Sequence, residues 1–124
     1  MVQAHKTPRV LIVEDEFYLA ADLEVALQSE GAEVVGPMSR LSDASCQVSK
    51  GGFDAAVLDI NLRNESTFCL AEELRTRRIP FVFATGYSPD TVPSRFSDVM
   101  LFEKPYDVCG LARHVVQLAS NRVA

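Results

Sequence analysis

The sequence predicts an α/β fold, a doubly wound parallel sheet of five strands with helices on both faces, and three observations carry that expectation. Short apolar runs alternate with helix-length segments along all 124 residues, the pattern of repeated βα units. Four of the runs are continuous rather than alternating, as strands buried on both faces are. Each of the four also ends in a polar residue: Val13 runs into Glu14 and Asp15, Leu58 into Asp59, Ala84 into Thr85, and Phe102 into Glu103 and Lys104.

The elements follow in order. The first strand, around residues 10–13, leads to a helix from about Glu16, because Leu19, Leu23 and Leu27 recur at helical spacing and Gly31 supplies a stop. The second strand, residues 32–36, mixes polar and apolar positions and belongs at a sheet edge. A helix over residues 41–50 buries Leu41, Ala44 and Val48 and ends at Gly51 and Gly52. The third strand covers residues 54–59. A polar loop, residues 61–65, precedes Ser66 as N-cap of a helix that turns Leu70, Ala71 and Leu74 inward and stops before Pro80. The fourth strand is residues 81–85. Pro89 and Pro93 then limit residues 86–98 to a short or irregular fourth helix. A fifth strand, residues 99–102, and a helix over residues 106–120 with Leu111, Val115 and Leu118 on one stripe complete the chain.

Length and composition narrow the function. The chain suits one domain, residues 9–121, preceded by a flexible tail over residues 1–8 and with no output domain following. The 12 basic and 17 acidic residues leave a net charge of −5, which disfavours a nucleic-acid partner. No apolar run approaches the roughly 20 residues that cross a bilayer, so no membrane partner is expected. Cys46, Cys69 and Cys109 are odd in number and widely spaced, which suits buried thiols in a reducing cytoplasmic location. Arg75, Arg77 and Arg78 close a helix and complement its dipole. His5 lies in the tail and His114 on the last helix, both in surface or packing roles. The phenylalanines at 53, 68, 81, 83 and 102 read as core, and Tyr106 as a residue exposed at a partner surface.

A five-stranded doubly wound sheet commonly takes the flavodoxin-like order 2-1-3-4-5, and its ligands bind beyond the carboxyl ends where the order reverses, between the first and third strands. Those strands end in Glu14, Asp15 and Asp59. Taken singly, Asp15 reads as a helix N-cap and Asp59 as a turn residue. Taken together they read as three carboxylates that repel unless a hard divalent cation, economically Mg2+, sits among them, with the Asn61 backbone carbonyl as a further oxygen. Thr85 offers a hydroxyl and Lys104 a point charge, the donors that phosphoryl oxygens need. Asp59, at the centre, is suited to act as a nucleophile forming an acyl phosphate.

The strings I-V-E-D-E at residues 12–16, L-D-I-N at 58–61, A-T-G-Y at 84–87 and E-K-P at 103–105 resemble a response-regulator receiver domain of two-component signalling over nearly the whole chain. The F-A-T-G-Y string is similar to the single-domain FAT GUY subgroup. The resemblance implies that Asp59 is phosphorylated from a sensor histidine kinase or phosphotransfer protein, that Glu14, Asp15, Asp59 and the Asn61 carbonyl hold Mg2+, and that Thr85 and Lys104 contact the phosphoryl group. It implies a cis peptide before Pro105 and places Asn61 and Tyr87 where they tune dephosphorylation. Such a protein is a phosphoacceptor, a relay, sink or adaptor, rather than an enzyme, and a monomer or weak dimer. Its downstream partner would meet the 86–98 segment, the last strand and the last helix.

The sequence departs from that pattern at Leu101, where most receivers carry an aromatic residue that turns inward; Phe102 is one residue late and should face the other side of the sheet. Gly86 and Pro93 suggest that residues 86–98 are the mobile element that reports phosphorylation. Three other readings stand beside this one. A Mg2+-dependent phosphohydrolase or toprim-like enzyme would need the second acid of a D-x-D pair, where this chain has Asn61. A flavodoxin-like cofactor binder would need a phosphate loop where E-D-E stands. A constitutive protein-binding receiver would use the same fold without phosphorylation.

Overall fold

The computed structural model describes residues 6–123. Five parallel strands form one sheet in the order β2-β1-β3-β6-β7: β1 is Arg9–Val13, β2 Glu33–Met38, β3 Ala55–Asp59, β6 Phe81–Thr85 and β7 Leu101–Glu103. With the two short strands of a separate hairpin set aside, β4 (Asn61–Leu62) and β5 (Glu65–Ser66), this is the expected order 2-1-3-4-5. Helices α1 (Phe17–Ser29), α2 (Leu41–Lys50), α3 (Phe68–Thr76) and α4 (Val108–Val123) cover its two faces.

The central strands are buried along their whole length, so alternate residues feed two cores. One, with Leu11, Val13, Leu58, Phe81 and Phe83, receives Ala44 and Val48 of α2 and Leu70, Ala71 and Leu74 of α3. The other, with Val10, Ile12, Val57, Val82 and Ala84, receives Leu23 and Leu27 of α1 and Leu111 and Val115 of α4. Asp54 fastens the amino-terminal end of the sheet, accepting from the Arg9 backbone N at 2.9 Å and pairing with Arg122 at 3.4 Å.

Several boundaries differ from expectation for identifiable reasons. The edge strand β2 continues past Gly36 to Met38. Gly36 has φ +95°, and a Cβ there would meet Met38 N at 2.8 Å and Ile12 O at 3.0 Å, so only glycine fits the irregularity in the pairing with β1. The loop over residues 61–65 is instead part of a miniature hairpin, β4 against β5, whose central Arg63 and Asn64 take φ of 49° and 69°, as a type I′ turn demands. The N-cap of α3 is Thr67 rather than Ser66; the Ser66 hydroxyl accepts from Phe68 N at 3.2 Å. The last strand starts at Leu101, with Val99 outside it, and α4 begins at Val108.

The fourth helix is reduced to two short 3₁₀ turns, Pro89–Thr91 and Ser94–Phe96. This stretch is anchored: Phe96 is fully buried among Phe68, Phe81 and Phe83. Arg95 pairs with Glu72, and Asp98 with Arg75 at 3.0 Å. Gly86 has no positive φ, and a Cβ there would meet nothing within 4 Å, so this conformation does not depend on its freedom.

All three cysteines are exposed, contrary to expectation. Cys46 lies on the side of α2 away from Ala44 and Val48, and Cys109 on the side of α4 away from Leu111 and Val115. Tyr106 is half-buried against the α1/α4 core with its hydroxyl enclosed, not displayed to a partner. Of the flexible tail expected over residues 1–8, residues 1–5 with His5 lie outside the described residues; Pro8 O already accepts from Glu33 N at 2.9 Å.

Candidate functional site

The parallel register of β1, β3 and β6 aligns Val13 with Leu58 and Asp59 with Ala84. The residues that follow β1 and end β3 and β6 therefore reach one edge together. Glu14, Asp15 and Asp59 each offer a carboxylate oxygen within 4.8 Å of the others. Glu14 and Asp59 are buried and Asp15 is half-buried.

Each acid is fixed by backbone. Glu14 Oε2 accepts from Asp15 N at 3.0 Å and Glu16 N at 3.3 Å. Asp15 Oδ2 accepts from Arg63 N at 3.0 Å, so the turn of the small hairpin reaches over to hold it. Asp15 does not cap α1: the N-cap is Glu16, with no side-chain cap bond. Asp59 Oδ1 accepts from Asn61 N at 3.2 Å. The Thr67 hydroxyl, wholly buried, donates its one proton to Asp59 O at 2.7 Å, with Ile60 O a longer, shared acceptor at 3.2 Å, which ties the start of α3 to the end of β3.

Lys104 reaches the acids from β7, whose Glu103 pairs with Thr85 in register and whose next peptide, Lys104–Pro105, is cis. Its Nζ lies 2.9 Å from Glu14 Oε1, 3.1 Å from Asp59 Oδ2 and 3.1 Å from Glu16 Oε1. Thr85 is buried, and its Oγ1 accepts from Tyr87 N at 2.9 Å. Burial, then the neighbouring Asp59, pushes the Glu14 carboxyl up to about 8 against the opposing pull of Lys104. Burial alone would lower the Lys104 ammonium, but Glu14 and Asp59 outweigh it and raise it. Burial and the Glu14 charge raise the Tyr106 phenol as well.

One ammonium thus serves two buried carboxylates and one exposed one, and the set stays short of positive charge. Oxygen donors at this spacing, backed by backbone N–H groups, suit a hard divalent cation. They open into a cleft of about 430 Å³ lined by Asp15, Glu16, Asp59, Asn61, Arg63, Asn64, Gly86, Tyr87 and Lys104. A larger cleft of about 710 Å³ includes Pro80, Phe81 and His114 at the amino-terminal end of β6 and holds none of these acids.

Of the residues named from sequence, Glu14, Asp15, Asp59, Asn61, Gly86, Tyr87 and Lys104 gather at this edge, with Thr85 beneath. Leu101 packs into the α2/α3 core, while Phe102 faces the other core beside Tyr106 and His114, at ring separations of 6.3 Å and 5.9 Å. Sequence reasoning missed Glu16, Arg63 and Thr67. Glu16 was visible as the third acid of E-D-E. The other two act through a backbone N–H and a hydroxyl that works backward on the strand before it, and neither leaves a motif.

Residues 10–103 match the response regulator receiver domain family. The solution structure of SdrG from Sphingomonas melonis Fr1 is similar at 44% identity and a TM-score of 0.78, over 90% of this chain and 95% of that one. The BeF3-activated conformation of SdrG is similar at 40% identity and a TM-score of 0.72, over 93% of this chain and 99% of that one. The sensory transduction protein LytT of Bacillus anthracis is 29% identical over 103 residues, 80% of this chain; the match spans only 42% of LytT.

Proposed function

The chain belongs to the response-regulator receiver family of two-component signalling, and we propose that Asp59 is its phosphoacceptor, loaded from a phosphohistidine of a sensor histidine kinase or phosphotransfer protein. The carrying observation is the position of Asp59: at the carboxyl end of a buried strand, within 4.8 Å reach of Glu14 and Asp15, and 3.1 Å from the Lys104 ammonium at a cleft that admits a phosphoryl group.

In the transfer, an Asp59 carboxylate oxygen attacks phosphorus and the donor's N–P bond breaks. The electron pair returns to the imidazole nitrogen, and an acyl phosphate forms on Asp59. Glu14, Asp15, Asp59 and the Asn61 carbonyl would hold Mg2+, which when bound neutralises charge on the phosphoryl oxygens. Lys104 supplies a further positive charge from the β7 side. Thr85 Oγ1, once released from Tyr87 N, is the hydroxyl available to another phosphoryl oxygen. Asn61 and Tyr87, at the mouth, bear on water access and hence on the lifetime of the acyl phosphate.

The consequence is a change of protein contacts, as relay, phosphate sink or adaptor, through residues 86–98, the last strand and the last helix. The F-A-T-G-Y string and the likeness to SdrG support placement in the FAT GUY subgroup, working in the cytoplasm. No helix among the described residues is long and apolar enough to cross a membrane. Incubation with acetyl phosphate and Mg2+ should add one phosphoryl mass to the wild type and none to Asp59→Asn. Equal labelling of both rejects the site, and steady multiple turnover of a phosphoester would favour a phosphohydrolase instead.

A further inference from the structure

Lys104 has three N–H donors and no more; its Nζ donates to Asp59 and Glu16 and lies 2.9 Å from Glu14 Oε1, so three carboxyl groups share it. Two partners, Glu14 and Asp59, belong to the buried acid set. The third, Glu16, has a side chain 61% exposed, 3.1 Å from Nζ. It lies 88 residues from Lys104 in the chain, so the pair is a tertiary contact, and Glu16 lines the same cleft as Asp59.

A phosphoryl group on Asp59 would bring three acceptor oxygens to the place where Lys104 now points. Lys104 can take one of them by giving up one of these three contacts. The acyl phosphate leaves Asp59 a carbonyl oxygen that still accepts, and releasing Glu14 leaves a buried polar group without its partner, whereas Glu16 returns to water at small cost. We infer that Glu16 is a positioning residue that holds Lys104 in the unphosphorylated protein, competes with the phosphoryl group for it, and so slows the loading of Asp59. The inference rests on Asp59 being the phosphoacceptor. Glu14 and Asp59 alone still direct Lys104 into the site, so losing Glu16 removes the competition without losing the ammonium.

A negative charge at the mouth would slow an anionic donor even without touching Lys104, and Glu16→Asp separates the two effects. It keeps the charge but draws the carboxylate back by one methylene, which lengthens the 3.1 Å contact to Nζ. Loading rates with acetyl phosphate and Mg2+, followed by intact mass, should rise about two- to fivefold in both Glu16→Gln and Glu16→Asp, the factor expected of a partly exposed ion pair. A Glu16→Asp rate equal to wild type, or a Glu16→Gln rate no faster than wild type, overturns the inference. The ammonium ¹⁵N resonance gives a readout independent of phosphorylation, with only Lys6, Lys50 and Lys104 to assign. The Lys104 signal should move in both variants of the resting protein. If wild type takes up no phosphoryl group, the phosphoacceptor reading fails by itself, and an unmoved Lys104 resonance in Glu16→Gln still overturns the Glu16–Lys104 coupling.

Discussion

The ring of Phe96 meets that of Phe83 edge-to-face, with centroids 5.5 Å apart and planes at 86°. Phe96 belongs to the irregular stretch after β6 and Phe83 to β6 itself, so the segment next to the acidic edge is pinned to the sheet. Phe68 stacks on the same ring at 5.8 Å, and the guanidinium groups of Arg75 and Arg95 lie 5.2 Å and 4.9 Å from its centroid.

Phe96→Ala should therefore destabilise the protein by about 3–5 kcal/mol, the usual effect of deleting a buried aromatic ring. Urea unfolding measures that loss, and amide exchange across residues 86–98 should rise together with it. If these amides already exchange freely in wild type, the ring does not anchor the segment.

That anchor marks the limit of what the sequence discloses. The strand order, the acid-bearing strand ends and the positions of Asp59 and Lys104 were legible because parallel strands of apolar residues force their carboxyl ends to one edge. Pro89 and Pro93 signal the broken helix, and Gly86 and Pro93 suggest a mobile segment, but breaker residues report backbone geometry and say nothing of tertiary contacts such as those of Phe96. A lone Phe96 in a polar stretch carries no periodicity. The exposed cysteines show the same limit: the face a residue occupies depends on the helix phase, not on the residue type.

Thr67→Val tests the tie between β3 and α3. Valine keeps the shape and removes the hydroxyl that donates at 2.7 Å to Asp59 O. Leaving that buried carbonyl without its donor should cost about 1–3 kcal/mol, read as a lower urea midpoint at unchanged m-value. Because Asp59 O belongs to the residue that carries the site, slower loading from acetyl phosphate should accompany the loss. Wild-type stability would mean that the carbonyl finds another donor.

Glu14 makes stability depend on pH in an unusual direction. Its carboxyl is raised from 4.5 to about 8 by burial and by Asp59, so between those values the folded protein binds more protons than the unfolded one. Its contribution is fully present below 4.5 and lost as pH rises through about 8. In metal-free buffer, the urea midpoint of wild type should fall across that window more steeply than that of Glu14→Gln, and Mg2+ should flatten the wild-type profile. Parallel profiles in the two proteins would show that Glu14 ionises in the fold as it does in water.

Lys104→Met should expose the same electrostatic balance from the other side. Methionine replaces much of the aliphatic stem but leaves Glu14 and Asp59, both buried, without the ammonium that now lies 2.9 Å and 3.1 Å from them. Removing one member of a buried ion pair costs about 3–5 kcal/mol, and the open cleft beside Asp59 sets the expected loss near the lower value. The deficit should be largest in metal-free buffer at the upper end of the Glu14 window, and it should shrink toward acid, where Glu14 takes up a proton. Saturating Mg2+ should reduce it, because the cation neutralises the acids that Lys104 no longer serves and so stabilises the variant more than wild type. Urea unfolding of wild type and variant, with and without Mg2+, measures all of these terms. A deficit that neither Mg2+ nor acid reduces would assign the loss to packing of the lysine stem rather than to its charge.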